Sequence, residues 1–511
     1  MNNLNNHLRL YPECSIDKNK NQVTVYGNNS DIGDVVLLQL YSDMQTVDAE
    51  PISIETLIGA LEDEISDIKW SIALVGIDGK NNPNAIIKWL KTKPPLILGM
   101  SIPQGTLGLA QNLIKSIKKD LIFRNTKLVF GHAIPTFSKE IFEKLCPDSK
   151  IITGWGENNF VNFVKTTLGK DTKNTNNYQK FTIPIRIGKS KEFFRRIENS
   201  RGCGYGICTF CVKTISGPCL TTNIIDNLKI QLDQLKIIGD TYFGFSDEDF
   251  MGNPDNIDEF VKLIKPYGFT FSAAMRVETI VPDKPELKKK RVNDINNLVK
   301  SGLKLAFIGV ESLVKTQQKR YGKHINGGVS SCIQAVSILL NAGCDVTMGM
   351  IIFDPYSTID ELKETANILI RKKLYKYVGH PFNALILREG SPLAKKYNLS
   401  KEKLNSNTLE YTWNFVNQEV GEVYKKCIEW WKPLEKEVIL ARNILRYSQC
   451  KNYHKIKYYY HDILKQTSIV LRKIVNGKEN LNLETQKVKT KLQKIRQLSV
   501  TPRRIELRLP G

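Results

Sequence analysis

No stretch of this chain runs for the roughly 18 uninterrupted apolar residues that a membrane-spanning helix requires. Its opening residues, MNNLNNHLRLYPEC, hold neither an apolar signal core nor a cleavage pattern. The two absences lead to the expectation of a soluble, cytoplasmic protein with no membrane partner, in which the ten cysteines are reduced thiols. Acidic residues are scarce, with 52 Asp and Glu against 74 Lys and Arg and a net charge of +22. Residues 451–511 hold 15 Lys and Arg against 4 Asp and Glu, so half of the excess lies in the last part of the chain. A basic tail suits an anionic partner such as an acidic peptide or nucleic acid, and a solvated helical face explains it as well.

At 511 residues the chain is too long for one ordinary core. Between residues 34 and 169, short apolar runs (DVVLLQLYS, KWSIALVGI, PPLILGMSI, TKLVFGHAI, SKIITG) alternate with amphipathic ones such as ISIETLIGALEDEI and GTLGLAQNLIKSIKK. Strands alternating with helices give a parallel sheet covered on both faces, with its ligand over the carboxyl ends of the strands. The fold class expected is α/β, with an amino-terminal segment (1–33) and a doubly wound, Rossmann-like first domain (34–169). The polar residues 170–192 are read as a linker. A second βα series follows at 193–395, with strand candidates DTYFGFSD, FTFSAAMR, KLAFIGVES, DVTMGMIIF and GHPFNALIL. Residues 396–511 read as a helical, basic region with its own core around Trp413, Trp430 and Trp431, closed by a helix with Val488, Leu492, Ile495 and Leu498 on one face.

The stretch RGCGYGICTFC (201–211) sets Cys203, Cys208 and Cys211 at C-x4-C-x2-C among glycines. No second pair at zinc spacing lies nearby, although Cys219 keeps a four-cysteine zinc site open and C-x-x-C a redox pair. Three thiolates on a glycine-rich loop suit an iron-sulfur cluster with one iron open.

That loop, followed by a βα series, resembles the cluster loop of radical S-adenosylmethionine (SAM) enzymes, with one residue more than their usual C-x3-C-x2-C. Four later segments resemble the family's SAM-binding elements in order. FGFSDEDF (243–250) implies Asp247 or Glu248 for the amino group of SAM, and FSAAMRVE (271–278) implies Arg276 for its carboxylate. FIGVES (307–312) implies Gly309, Glu311 and Ser312 for the ribose, and GMIIFDP (349–355) implies a backbone beside the adenine at Gly349. The resemblance implies a partial (βα)6 barrel, a 4Fe-4S cluster, reductive cleavage of SAM to a 5'-deoxyadenosyl radical, and a flavodoxin or ferredoxin as electron donor.

The first domain stands where one subclass carries a cobalamin-binding domain. GMSIPQGT (99–106), FGHAIPTF (130–137) and GWGENNF (154–160) are similar to its elements, with Gly131 and Gly154 giving close backbone approach to the corrin. The D-x-H-x-x-G that supplies histidine to cobalt is absent, and His132 stands where a second glycine is expected. Cobalamin-dependent C-methylation of a peptide or natural product is the implied reaction, with an acidic leader peptide as a partner that fits the charge. The alternative is a peptide epimerase whose thiol hydrogen donor is Cys427 or Cys219. An RNA-modifying protein is the reading from another class; against it, the first domain has only Cys14 and Cys146, and the tail reads as helix.

Overall fold

In the computed structural model, which describes residues 8–11, 15–16, 23–29, 31–42, 49–76, 81–172, 181–212, 219–252, 257–323, 325–447 and 452–499, two main sheets organise the chain. The first runs Ser15–Ile16, Thr24–Gly27, Trp70–Val75, Val35–Leu40, Ile97–Ser101, Lys127–Gly131, Lys150–Ile151 in spatial order. Its last five strands are parallel and its first two pair antiparallel at the edge. Val35–Leu40 and Trp70–Val75 are buried at every position, the consequence of helices on both faces. Ile52–Glu64 and Glu157–Thr167 cover one face; Pro83–Thr92 and Leu107–Lys119 cover the other. Pro83 opens its helix at the position where a missing N–H costs nothing, and the Asn82 side chain accepts from the Asn84 N–H at 2.9 Å. From Val35–Leu40 the chain pairs outward on one side with Trp70–Val75 and on the other with Ile97–Ser101. That reversal leaves a crevice over the carboxyl ends of the strands.

The second sheet is wholly parallel and in chain order: Arg195–Ile197, Tyr242–Phe245, Thr270–Arg276, Leu303–Glu311, Asp345–Met350. In Thr270–Arg276 and Asp345–Met350, burial alternates strictly. The buried set packs under the surrounding helices, while Ser272, Ala274, Arg276, Thr347 and Gly349 face inward and stay accessible. The barrel therefore keeps an open lumen in place of the filled interior of a closed eight-stranded barrel. Thr358 starts the helix Ile359–Arg371 with a reciprocal capping box to Glu361.

Several expectations change. GHPFNALIL (379–387) forms no ladder among the described residues: Ala384 makes an isolated bridge to Phe353, past the end of Asp345–Met350, and the Gly379 N–H donates to the Met348 carbonyl at 3.2 Å. The first strand of the barrel, Arg195–Ile197, was not among the candidates. The second half of the expected linker is core structure: Arg186–Ile187 pairs with Leu10–Tyr11, and Arg186 is fully buried. Its guanidinium and that of Arg195 meet Glu50 at 3.1 and 3.0 Å, and Arg195 also donates to Asp240 at 2.9 Å, so charge pairs tie the first domain to the barrel. The C-terminal helices Gln418–Tyr447, Tyr453–Val475 and Asn482–Leu498 have no separate core. Trp431, Ile463, Leu471, Val488, Leu492 and Ile495 belong to the same hydrophobic cluster as the barrel.

Candidate functional site at the carboxyl ends of both sheets

The cysteine loop springs from a hairpin, Ser200–Cys203 against Cys219–Thr222, in which Cys203 and Cys219 are register partners. Gly206, at φ +56°, turns the chain between Cys203 and Cys208 in a conformation that disfavours a side chain. The loop docks on the turn after Lys315–Arg320: the Thr209 N–H donates to the Tyr321 carbonyl at 2.9 Å and the Tyr205 hydroxyl to that of Gly322 at 2.7 Å. None of the three loop cysteines is in a disulfide. Arg276 lies within electrostatic reach of Cys203, and Cys208 within reach of both Arg276 and Cys211, so the three side chains lie on one side of the loop. Burial pushes the Cys208 thiol up to about 12, against the pull of Lys323 and Arg276. Among the described residues no three His, Cys, Asp or Glu side chains stand close enough to grip an ion. The donor set, three thiols on a glycine-bearing loop over a parallel sheet, matches a cluster in chemistry.

Beside the loop lies a partly buried charge set. Arg276, at the end of its strand, stacks 3.8 Å from the Tyr205 ring centroid and pairs with Glu278 at 3.0 Å. Lys323 reaches the same carboxylate at 3.7 Å, yet neither Glu278 oxygen accepts a hydrogen bond. Glu311 follows a register shift at the end of Leu303–Glu311 and sits at φ +62°, a costly backbone for a non-glycine residue. Burial lifts its carboxyl to about 7, opposed by Lys323 and reinforced by Glu278. Asp249 is buried below them and accepts from the Thr279 hydroxyl at 3.0 Å.

Other expected residues are differently placed. Asp247 is buried under the hairpin, accepting from the Asn199 N–H at 3.1 Å and the Ser200 hydroxyl at 2.5 Å, so it braces the loop instead of facing the lumen. Glu248 lines the crevice toward the first domain. The Ser312 hydroxyl is fully buried and donates to Gln317 at 2.5 Å, a turn-forming role. The space Gly349 leaves is filled by Phe307, whose ring would lie 2.5 Å from an added Cβ. Cys427 is fully buried in the core between the helix Gln418–Tyr447 and the barrel, which keeps it from the barrel mouth. The side chain of Cys219 and all of Cys14 lie outside the described residues. Glu278, Lys323 and Asp249 were missed. Glu278 stands in the quoted FSAAMRVE, two residues past Arg276, whereas Lys323 has no sequence signal beyond its charge.

Between the two sheets is a cavity of about 480 Å³. Gly99, Gly131, Gly154 and Trp155 line it from the first domain; Glu198, Arg201, Ser246 and Glu248 line it from the barrel. Arg201 lies between the Trp155 and Phe181 rings, 4.5 and 4.8 Å from their centroids, and pairs with Glu157 at 2.7 Å and Glu198 at 2.8 Å. Burial holds the Glu198 carboxyl above its usual range despite Arg201. Gly154 is at φ +69° with nothing within 4 Å of an added Cβ, and a Cβ at Gly131 would meet only the Ile152 carbonyl at 3.7 Å. His132, also on this wall, has φ +82° and ψ −161°, a conformation nearly confined to glycine. The two glycines thus open onto unfilled space, a cradle that suits a broad planar ligand.

No family model matches the chain. Among curated proteins it is similar to 4'-phospho-dehydrooxetanocin synthase of Priestia megaterium, 25% identical over 348 residues. That match covers 59% of this chain and 46% of the synthase, so the chain spans under half the length of its curated relative. Among solved structures, the cobalamin-dependent SAM radical enzyme OxsB with aqua-cobalamin and SAM bound superposes with a TM-score of 0.72 at 18% identity, over 93% of this chain and 82% of that one. The radical SAM methyltransferase TsrM of Kitasatospora setae, with cobalamin and a [4Fe-4S] cluster, superposes with a TM-score of 0.61 at 11% identity, over 87% and 100%. The chain has the fold of the cobalamin-dependent radical SAM enzymes.

Proposed function

We propose that the protein is a radical SAM enzyme that holds a 4Fe-4S cluster on Cys203, Cys208 and Cys211, SAM over the carboxyl ends of the barrel strands, and a corrinoid in the cavity between the two sheets. The observation that carries this reading is the junction itself: the cavity over the first sheet is closed by Glu198, Arg201, Ser246 and Glu248 from the same strand ends and hairpin that bear the cysteine loop. Bound there, cluster and SAM would supply a 5'-deoxyadenosyl radical for hydrogen abstraction, and the corrinoid a methyl group for the carbon so activated. Arg276 is assigned to the carboxylate of SAM, with Tyr205 fixing its plane. Glu311, and Glu278 with its unused acceptor atoms, are assigned to its amine and ribose hydroxyls. Gly131 and Gly154 leave room for the corrin, while Arg201 fixes the wall that separates it from SAM. A flavodoxin or ferredoxin is the proposed reductant, since the cluster needs an outside electron.

C-methylation of a small natural product or peptide is the preferred outcome, in line with the methyltransferase among the structural neighbours. Epimerisation loses its first thiol donor, because Cys427 is in the core. The test is anaerobic reconstitution with iron, sulfide and hydroxocobalamin, followed by turnover with methyl-labelled SAM. Corrinoid uptake and methyl label in the product are expected. A corrinoid-free preparation that turns over in heavy water, adding one deuterium per changed centre and no label, would overturn the methylation reading.

A further inference from the structure

A second cavity, of about 350 Å³, lies at the opposite end of the barrel, where the strands begin and the helix Tyr453–Val475 crosses beneath them. Four cations line it from four different elements: Lys304 at the start of its strand, Lys376 on a short 3-10 turn, and Arg442 and Lys457 on the C-terminal helices. Among the described residues the only carboxylate in its wall is Asp345, already committed to Lys457 and to the Tyr453 hydroxyl at 2.7 Å. Lys304 and Lys376 have no ion pair among the described residues. Two converging lysines without an ion pair, Lys304 and Lys376, in a concave wall favour an anion. Tyr377, Tyr460 and His461 add ring faces to the same wall, with Tyr377 and His461 at 6.3 Å between centroids. Lys304 and Gly309 are five residues apart on one strand, about 17 Å at 3.3 Å per residue, so this cavity is distinct from the site at the carboxyl ends.

We propose that this cavity binds a phosphorylated small molecule of the nucleotide class, the phosphoryl group held by Lys304, Lys376 and Arg442 and the ring by the tyrosines. His461 stands in the same wall, where burial first and then the charges of Lys457 and Lys376 lower its pKa to about 4 against the pull of Asp345. An anion bound beside Lys376 would oppose the charge part of that shift and raise the pKa of the ring. The inference does not depend on the radical SAM reading, and it is tested without SAM.

The experiment compares adenosine monophosphate with adenosine by calorimetry on the full-length protein, while NMR follows the His461 ring at about pH 6. The monophosphate is expected to bind about tenfold or more tightly than adenosine, the worth of one charge-assisted hydrogen bond, and to raise the protonated fraction of His461. Lys376→Glu should abolish both effects; Lys304→Glu serves as the second variant if circular dichroism shows Lys376→Glu misfolded. Equal affinity for the two probes, a His461 ring that does not respond, or unaltered binding in a folded charge-reversed variant would overturn the proposal.

Discussion

The Glu311 carboxylate occupies the space that Gly309 leaves empty: a Cβ on Gly309 would stand 2.7 Å from Oε1 of Glu311 and 3.5 Å from the Lys323 ammonium. The two residues face the lumen from the same strand, and the left-handed backbone of Glu311 aims its side chain back over the glycine. Gly309→Ala is therefore expected to displace Glu311 and weaken SAM binding by about tenfold, the loss of one hydrogen bond to a charged group. Equilibrium dialysis with SAM measures this, and cluster absorbance should be unchanged.

Replacing Cys203, Cys208 or Cys211 with Ala should remove the brown chromophore of the reconstituted protein and all SAM cleavage. Each thiol is expected to hold one iron, and the nearby Glu278 carboxylate faces the cations Arg276 and Lys323. The readouts are iron content and 5'-deoxyadenosine formation. Full cluster absorbance in the triple variant would contradict the assignment.

The buried charge pairs at the domain junction give a stability prediction. Glu50 is fully buried and shared by Arg186 and Arg195, so Glu50→Ala leaves two guanidiniums under-compensated and should cost about 3–5 kcal/mol in urea unfolding. This network also explains what could be read in the sequence. Val35–Leu40 and Trp70–Val75 were legible because strands covered on both faces are continuous apolar runs. Arg195–Ile197 was not, because its arginines satisfy partners as distant in sequence as Glu50. The cysteine loop and Arg276 were proposed from spacing and order, and the fold sets Arg276 against Tyr205 of that loop. Glu278 and Lys323 gain meaning only when the fold brings them together, and the burial of Cys427 depends on which face of its helix meets the barrel, which periodicity alone does not orient.

Asp247 sets a pH dependence. Burial raises its carboxyl to about 7, outweighing the hydrogen bonds from Ser200 and Asn199 that favour the charged form. A folded-state value above the unfolded one of about 3.9 means that its contribution is complete below pH 4 and is lost as the pH rises toward 7. Stability measured by urea titration should fall over that window, and Asp247→Asn should flatten this part of the profile. A profile identical in variant and parent would contradict the assignment.

His132 separates strain from ligation. Its φ of +82° and ψ of −161° place a histidine in a glycine conformation on the wall of the interdomain cavity, at the turn where the family's second glycine was expected. His132→Ala removes the ring and keeps the strain, whereas His132→Gly removes both. The glycine variant should therefore be more stable than the alanine variant by about 1–3 kcal/mol, read from thermal or urea unfolding. If the ring ligated cobalt, both variants would lose corrinoid uptake together. The expected result is that both retain it, because the room for a corrin comes from Gly131 and Gly154, which neither substitution touches. Uptake is measured by the visible spectrum of the desalted protein after loading with hydroxocobalamin. Loss of the corrinoid in both variants, with stability ordered as stated, would make His132 a cobalt ligand and show that its strained backbone serves to place the imidazole.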